Sequence, residues 1–267
     1  MTVQALYSAA TGMQAMETKL DVISNNLANL ETTAFKKGRA NFEDLFYRQE
    51  KYPGAEANSG QYSPTGIAIG MGSRVSSTQT EFKQGSFQQT GRELDVAIEG
   101  RGFFQVDDPS GQTFYTRAGN FSVNSNGNLV CGSASMGRLL QPNITIPNDT
   151  LAISISDQGV VAVRQPGNPQ LSNVGTIQLA TFVNPEGLLK LGENLYAQTD
   201  SSGAPIQGTP GQNGIGVLRQ TALEASNVEP VNELIDLITT QRAFELNSQA
   251  IQAGDQIMQL VANMRRA

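Results

Sequence analysis

Apolar residues recur at Leu6, Ala9, Met13, Met16, Leu20, Ile23, Leu27 and Leu30, in steps that alternate between three and four. On an α-helix this spacing draws a narrow seam, the a/d stripe of a heptad pattern. It predicts an N-terminal helix within residues 1–35, about 42 Å long if some 28 residues take part. The other end of the chain is built alike. Pro230 suits the first turn of a helix. Leu237, Phe244, Ile251 and Met258 then recur every seven residues, with Ala243, Leu246, Ala250, Ala253, Ile257 and Leu260 beside them. That band is wider than one seam, so a helix within 229–267 is expected to touch more than one neighbour. Arg265 and Arg266 complement the negative end of its dipole.

The period changes between the ends. Leu94, Val96 and Ile98 alternate with Asp95, Ala97 and Glu99, which predicts a strand with one wet face. Phe121-Ser122-Val123 and Leu129-Val130 flank Asn126-Gly127, a hairpin signal. Further strands are expected at 144–146, 151–155, 160–163 and 176–182. The expected class is therefore α+β: two terminal helices forming a coiled-coil layer, and an all-β central domain. The division runs 1–35 helix, 36–85 extended connecting segment with a Gly- and Pro-rich stretch, 86–215 β-rich outer domain, 216–228 return connection, and 229–267 helix. Two long helices at opposite ends carry seams that one β domain cannot cover. They must pair with each other, with other copies, or both. Self-contact through different surfaces builds rings or helical filaments, so polymerisation is expected from pattern alone.

Composition narrows the chemistry. The 267 residues include no His, which removes Ser-His-Asp and Cys-His catalysis and His-ligated metals. The single Cys, Cys131, can form neither an internal disulfide nor a thiolate cluster, and reads as a small core residue. Net charge is −6, a poor match for nucleic acid. Lys36, Lys37 and Arg39 form the one tight basic cluster, and Glu43 and Asp44 follow closely enough to compensate it. No apolar run approaches the length of a membrane span, and no basic n-region or apolar h-region marks a cleavable signal. Gly100-Arg101-Gly102 and Gly214-Ile215-Gly216 read as turns, since neither follows a strand and opens a helix. Asn124-Ser125-Asn126-Gly127-Asn128 lacks the acidic ligands of a calcium loop. No enzyme, cofactor or metal is expected.

Three passages resemble the bacterial flagellar rod and hook protein family. The first is Ser24-Asn25-Asn26-Leu27-Ala28-Asn29 with Thr32-Thr33-Ala34-Phe35-Lys36, where the family usually has Gly in place of Ala34. The second is Asp95 to Phe104 with Tyr115-Thr116-Arg117-Ala118-Gly119-Asn120-Phe121. The third is Ser226-Asn227-Val228 with Gln241-Arg242-Ala243-Phe244. Residues 42–47 and 66–72, with Gly192 to Tyr196, resemble the branch that builds the distal rod.

The resemblance implies a homopolymer forming the drive shaft between proximal rod and hook, with the helices lining a central channel and the β domain outside. It implies a periplasmic place inside the ring bushing, contact with proximal rod and hook-side axial proteins, and type III export without a cleaved signal. The seam residues Leu6, Met13, Met16, Leu20, Ile23, Leu27, Leu30, Leu237, Phe244, Ile251, Ile257 and Met258 are the expected self-assembly interface. Phe46, Tyr47, Tyr52, Tyr62, Ile67 and Ile69 are the expected rod-stiffening contacts. A proximal rod or hook-like subunit and a secreted coiled-coil binding module are the competing readings.

Overall fold

The computed structural model describes residues 2–54, 56–57, 61–62, 65–108, 111–132, 137–167 and 170–264. Arg265 and Arg266 lie outside them. The chain divides into two compact units, Met1–Ala28 with Gly38–Thr80 and Glu229–Ala267, and Asn29–Lys37 with Glu81–Val228.

The first unit holds both long helices and a β ribbon. Helix α1 spans Thr2–Ala28 and α2 spans Pro230–Met264. Strand β1 (Gly38–Asp44) pairs antiparallel with β6 (Ser73–Thr80), β2 (Tyr47–Lys51) with β5 (Ile67–Gly70), and β3 (Glu56–Ala57) with β4 (Gln61–Tyr62). Leu45 N–H donates to Gly72 O at 2.9 Å and Met71 N–H to Phe46 O at 3.2 Å, carrying the ladder across the gap between strand pairs. The stretch expected as an extended connection is thus a long two-stranded ribbon that clusters with the helices.

The second unit is all β. Its strands are β7 (Phe87–Gln89), β8 (Val96–Glu99), β9 (Phe103–Asp107), β10 (Thr113–Thr116), β11 (Phe121–Val123), β12 (Leu129–Cys131), β13 (Arg138–Gln141), β14 (Ala152–Ile155), β15 (Val160–Arg164), β16 (Ser172–Thr176), β17 (Leu179–Thr181), β18 (Leu189–Gly192), β19 (Leu195–Ala197), β20 (Ile206–Gly208), β21 (Val217–Gln220) and β22 (Ala222–Glu224). A nine-stranded sheet runs β11-β12-β13-β9-β10-β19-β18, with β17 joining β9 to β20. Strands β14, β15 and β16 form a second sheet. The hairpin forms around Asn126-Gly127, with Gly127 at φ 82°. One core gathers Val96, Ile98, Phe104, Phe121, Leu129 and Leu140. A second gathers Phe103, Tyr115, Phe182 and Tyr196 in edge-to-face contacts.

Several details differ from the pattern. The wet face of strand β8 is confined to its end: Val96, Ala97 and Ile98 are buried and Glu99 is exposed, with Val96 and Ile98 in the core. Residues 144–146 make only an isolated bridge at Thr145, although Ile144 and Ile146 are buried. The stretch 176–182 is split between two sheets. Residues 217–224, read as a return connection, are strands that pair with β8 and β7. Cys131 is half-buried, and burial pushes its thiol up to about 11, which keeps it protonated.

Helix α1 stops at Ala28, so Leu30 is not on the helical seam. Thr32 N–H donates to Asn29 O at 3.3 Å and its hydroxyl to the Asn29 side chain at 3.1 Å, and this local turn replaces another helical turn. Ala34 then takes φ 56°, a left-handed conformation, and its N–H donates to Glu224 O at 2.8 Å. A Cβ is disfavoured there. Ala34→Gly is expected to stabilise the β-rich unit by up to about 1 kcal/mol, net of the entropy that Gly adds to the unfolded chain. A urea midpoint that falls in this variant would contradict it.

Candidate assembly surfaces

Within the first unit α1 and α2 run antiparallel. Asn26 meets Glu233, Gly12 faces Asn247, and Gly254 faces Leu6. A Cβ at Gly254 would lie 2.7 Å from Leu6 Cδ2, so the glycine permits the close approach there. Asn26 also fixes the start of β1: its Nδ2 donates to Gly38 O at 2.9 Å and its Oδ1 accepts from Gly38 N–H at 2.8 Å.

The seam residues divide unequally. Ile23 is buried, and Leu6, Met13, Met16, Leu20 and Leu27 are half-buried. On α2, Leu237 and Ile251 are half-buried, whereas Phe244, Ile257 and Met258 are exposed. The one side of α2 that loses water is largely small or polar, with Glu233 and Thr240 its two buried residues. Val231, Leu234, Ile235, Ile238, Leu246, Leu260, Val261 and Met264 are all exposed. Val231, Leu234, Ile235 and Ile238 fall at helical spacing on one face, and an exposed apolar cluster of that kind marks an interaction site.

The ribbon presents a second surface. Phe46 is 90% exposed although the backbone beside it is hydrogen-bonded on both sides. Tyr47, Tyr52 and Ile67 are exposed, and Ile69 is half-buried beside α1. The Tyr62 side chain lies outside the described residues, as does Gly60. A two-stranded ribbon is marginal in water by itself, and rigidly held aromatic side chains are typical interface anchors.

The second unit contains a buried charge cluster. Lys36 Nζ donates to Glu224 Oε1 at 2.6 Å and to Lys83 O at 2.7 Å. Arg117 Nε donates to Glu224 Oε2 at 2.9 Å, and its terminal nitrogens donate to the carbonyls of Gly102, Gly100 and Ile98. Gly85 N–H adds a bond to Glu224 Oε1 at 2.9 Å. All three side chains are shut off from solvent. Two cations share one carboxylate, so the cluster carries an excess positive charge. Desolvation pushes the Lys36 amine down to about 8 against the pull of Glu224, and Arg117 pushes the same way. Burial raises the Glu224 carboxyl, but Arg117, Lys36 and the bond from Gly85 outweigh it and hold it low.

Lys36 was expected beside Glu43 and Asp44 in a locally compensated cluster. The structure instead gives it a partner far along the chain, while Glu43 pairs with Arg74 at 3.1 Å. Arg117 lies in a passage that the resemblance quotes, but Glu224 sits in a short strand whose sequence gives no sign of a buried carboxylate. Asn227 ties the same region: its Oδ1 accepts from Lys37 N–H at 2.8 Å, and its Nδ2 donates to the carbonyls of Glu81 and Lys83.

Among the described residues no group of three or more His, Cys, Asp or Glu side chains is placed to hold a metal ion. Among the described residues no helix is long and apolar enough to cross a membrane.

Three family descriptions match the chain in order. Residues 6–36 match the flagella basal body rod protein family, 97–163 the flagellar hook protein FlgE/F/G D1 domain, and 219–264 the flagellar basal body rod FlgEFG protein C-terminal region. Each of the three matched stretches supplies one charge to the buried cluster. The flagellar basal-body rod protein FlgG of Caulobacter vibrioides is 45% identical over 98% of this chain and 99% of its own length. That of Borreliella burgdorferi is 42% identical over 98% and 99%. The flagellar hook protein FlgE of Escherichia coli is 25% identical over 98% of this chain and 100% of its own length.

Proposed function

Since the chain belongs to the flagellar basal-body rod protein family, we propose that it polymerises with its own copies into the distal rod, the drive shaft between proximal rod and hook. It is a structural subunit and not an enzyme. The observation that carries the polymer is the apolar side chains that α2 leaves exposed, at Val231, Leu234, Ile235 and Ile238 and again at Ile257, Leu260, Val261 and Met264. Pairing that face with helices of neighbouring copies supports an inner coiled-coil layer around a central channel. Contacts between unlike surfaces that do not close on themselves extend as a helical filament. Leu6, Met13, Met16, Leu20, Ile23 and Leu27 hold the pair together, and Phe244, Ile257 and Met258 meet the neighbours.

The ribbon favours the distal rod over a hook-like or proximal rod subunit. A drive shaft must resist bending, and stiffness can come from contacts outside the helical layer. Phe46, Tyr47, Tyr52 and Ile67 are held out for such contacts. The subunit reaches its periplasmic place through the type III route without a cleaved signal. There it meets proximal rod and hook-side axial proteins at the ends and the ring bushing around it.

Deleting about residues 47–64 is expected to leave assembly intact but to give curved, flexible tubes in electron micrographs, where the intact chain gives straight ones. Straight, stiff tubes after the deletion would remove the ribbon from the account. Curved tubes from the intact chain would favour the hook-like reading.

A further inference from the structure

We propose that the free end of α2 in one copy docks into a groove beside the first turns of α1 in the next copy. This rests on the polymer reading above and names one of its contacts. The groove, about 660 Å³, lies between the start of α1 and strands β2 and β5. Gln4, Tyr7, Arg48, Ile69 and Met71 line it, with Glu50 beside Arg48. Its walls are held in place. Ser8 Oγ donates to Gly70 O at 3.4 Å. A Cβ on Gly72, which sits at φ 106°, would lie 2.1 Å from Thr11 Oγ1, so the ribbon rests directly on the helix.

The helix pair itself points to the occupant. Gly254 faces Leu6, four residues into α1 from Thr2, so among the described residues the pairing with α2 reaches about residue 258. Helix α2 continues to Met264, about 9 Å further at 1.5 Å per residue. Leu260, Val261 and Met264 stand exposed on that overhang. No charged residue occurs between Gln256 and Met264. The uncharged, apolar stretch from Gln256 to Met264, ahead of Arg265 and Arg266, suits a groove lined by Tyr7, Ile69 and Met71, as in helix-in-groove recognition.

The polar groups agree. Arg48 makes no ion pair among the described residues, and Asp255, one turn before the overhang, is bonded to the Gln259 amide at 3.0 Å and makes none either. An Arg48–Asp255 pair between copies would use both charges. The Gln4 amide nitrogen is shut off from solvent with no hydrogen-bond partner among the described residues. Turning that amide toward an incoming Asn263 side chain would satisfy it.

The contact is heterologous, since groove and overhang are different surfaces of one chain. It repeats head to tail, as a rod requires.

Mixed cross-linking tests it, in chains that carry Cys131→Ser. One chain carries Met71→Cys; the other, enlarged by a tag, carries Leu260→Cys. Co-assembled and mildly oxidised, the two should give a disulfide-linked heterodimer in the polymer and none in a dilute monomer mixture. Leu234→Cys in place of Leu260→Cys should give none in either state. Normal polymer without the Met71–Leu260 heterodimer would overturn the docking while leaving the rod reading standing. A heterodimer with the Leu234 partner would overturn it too, by placing another part of α2 in the groove. Parent chains that never polymerise would remove the rod reading and this contact together.

Discussion

Replacing Glu224 by glutamine is expected to cost the β-rich unit about 3–5 kcal/mol, because two buried cations then lack their counter-charge. Urea unfolding of that unit reads the effect. Lys36→Met is expected to cost less, since it leaves Arg117 and Glu224 as a balanced pair with the bond from Gly85 intact. The pH response separates the two roles. The folded amine of Lys36 sits at about 8, below its unfolded value of 10.5. Between those values the unfolded chain binds more protons, so stability should rise with pH through this window. Lys190 is also lowered by burial and adds the same sign, so the diagnostic quantity is the difference between the parent and Lys36→Met. That difference should shift in the parent's favour from pH 8 upward. Glu224, held low, contributes stability above its unfolded value that is lost as pH falls through its folded one. A Lys36→Met variant less stable than Glu224→Gln, or a parent advantage that shrinks above pH 8, would contradict the charge count.

Ile238→Asp is expected to abolish polymerisation while leaving the β-rich unit's unfolding midpoint unchanged. Ile238 is 48% exposed in the single chain, so an aspartate there meets water and disturbs little. In a packed contact between copies the same carboxylate would be buried without a partner. That costs several kcal/mol at each repeated contact, enough to break a weak subunit interface. Leu27→Asp, on the half-buried seam of α1, should also stop assembly, with some loosening of the helix pair. Sedimentation separates monomer from polymer, and circular dichroism follows the β-rich unit. Normal tubes from Ile238→Asp would show that this face of α2 is not an assembly surface.

The features that could be read from sequence are those with a period or a forced local geometry. The heptad steps mark both helices, and the hairpin forms at the Asn126-Gly127 signal, as a longer loop closed from Asn124 to Asn128 with Gly127 in the left-handed conformation. The wider band on α2 leaves Val231, Leu234, Ile235 and Ile238 exposed in the single chain. What was hidden depends on partners far apart in the chain. Residues 217–224 looked like a connection because short strands carry little period. Their pairing with β8 and β7 arises only when distant segments meet. The buried role of Lys36 was hidden for the same reason: Glu43 and Asp44 are near in sequence, and Glu224 is near in space. The ribbon over 38–80 read as an extended segment because its strands are polar and interrupted by glycines. Leu30 satisfied the seam spacing, but the bonds between Thr32 and Asn29 end the helix first.

The most direct test of the polymer is a helical reconstruction of tubes grown from the purified chain. Straight tubes are expected, in which Leu234, Ile238 and Leu260 of α2 are buried against other copies around a central channel, and in which Phe46 and Tyr52 of the ribbon touch a neighbour. Tubes whose α2 face stays in contact with solvent, or a chain that stays monomeric under every assembly condition, would contradict it.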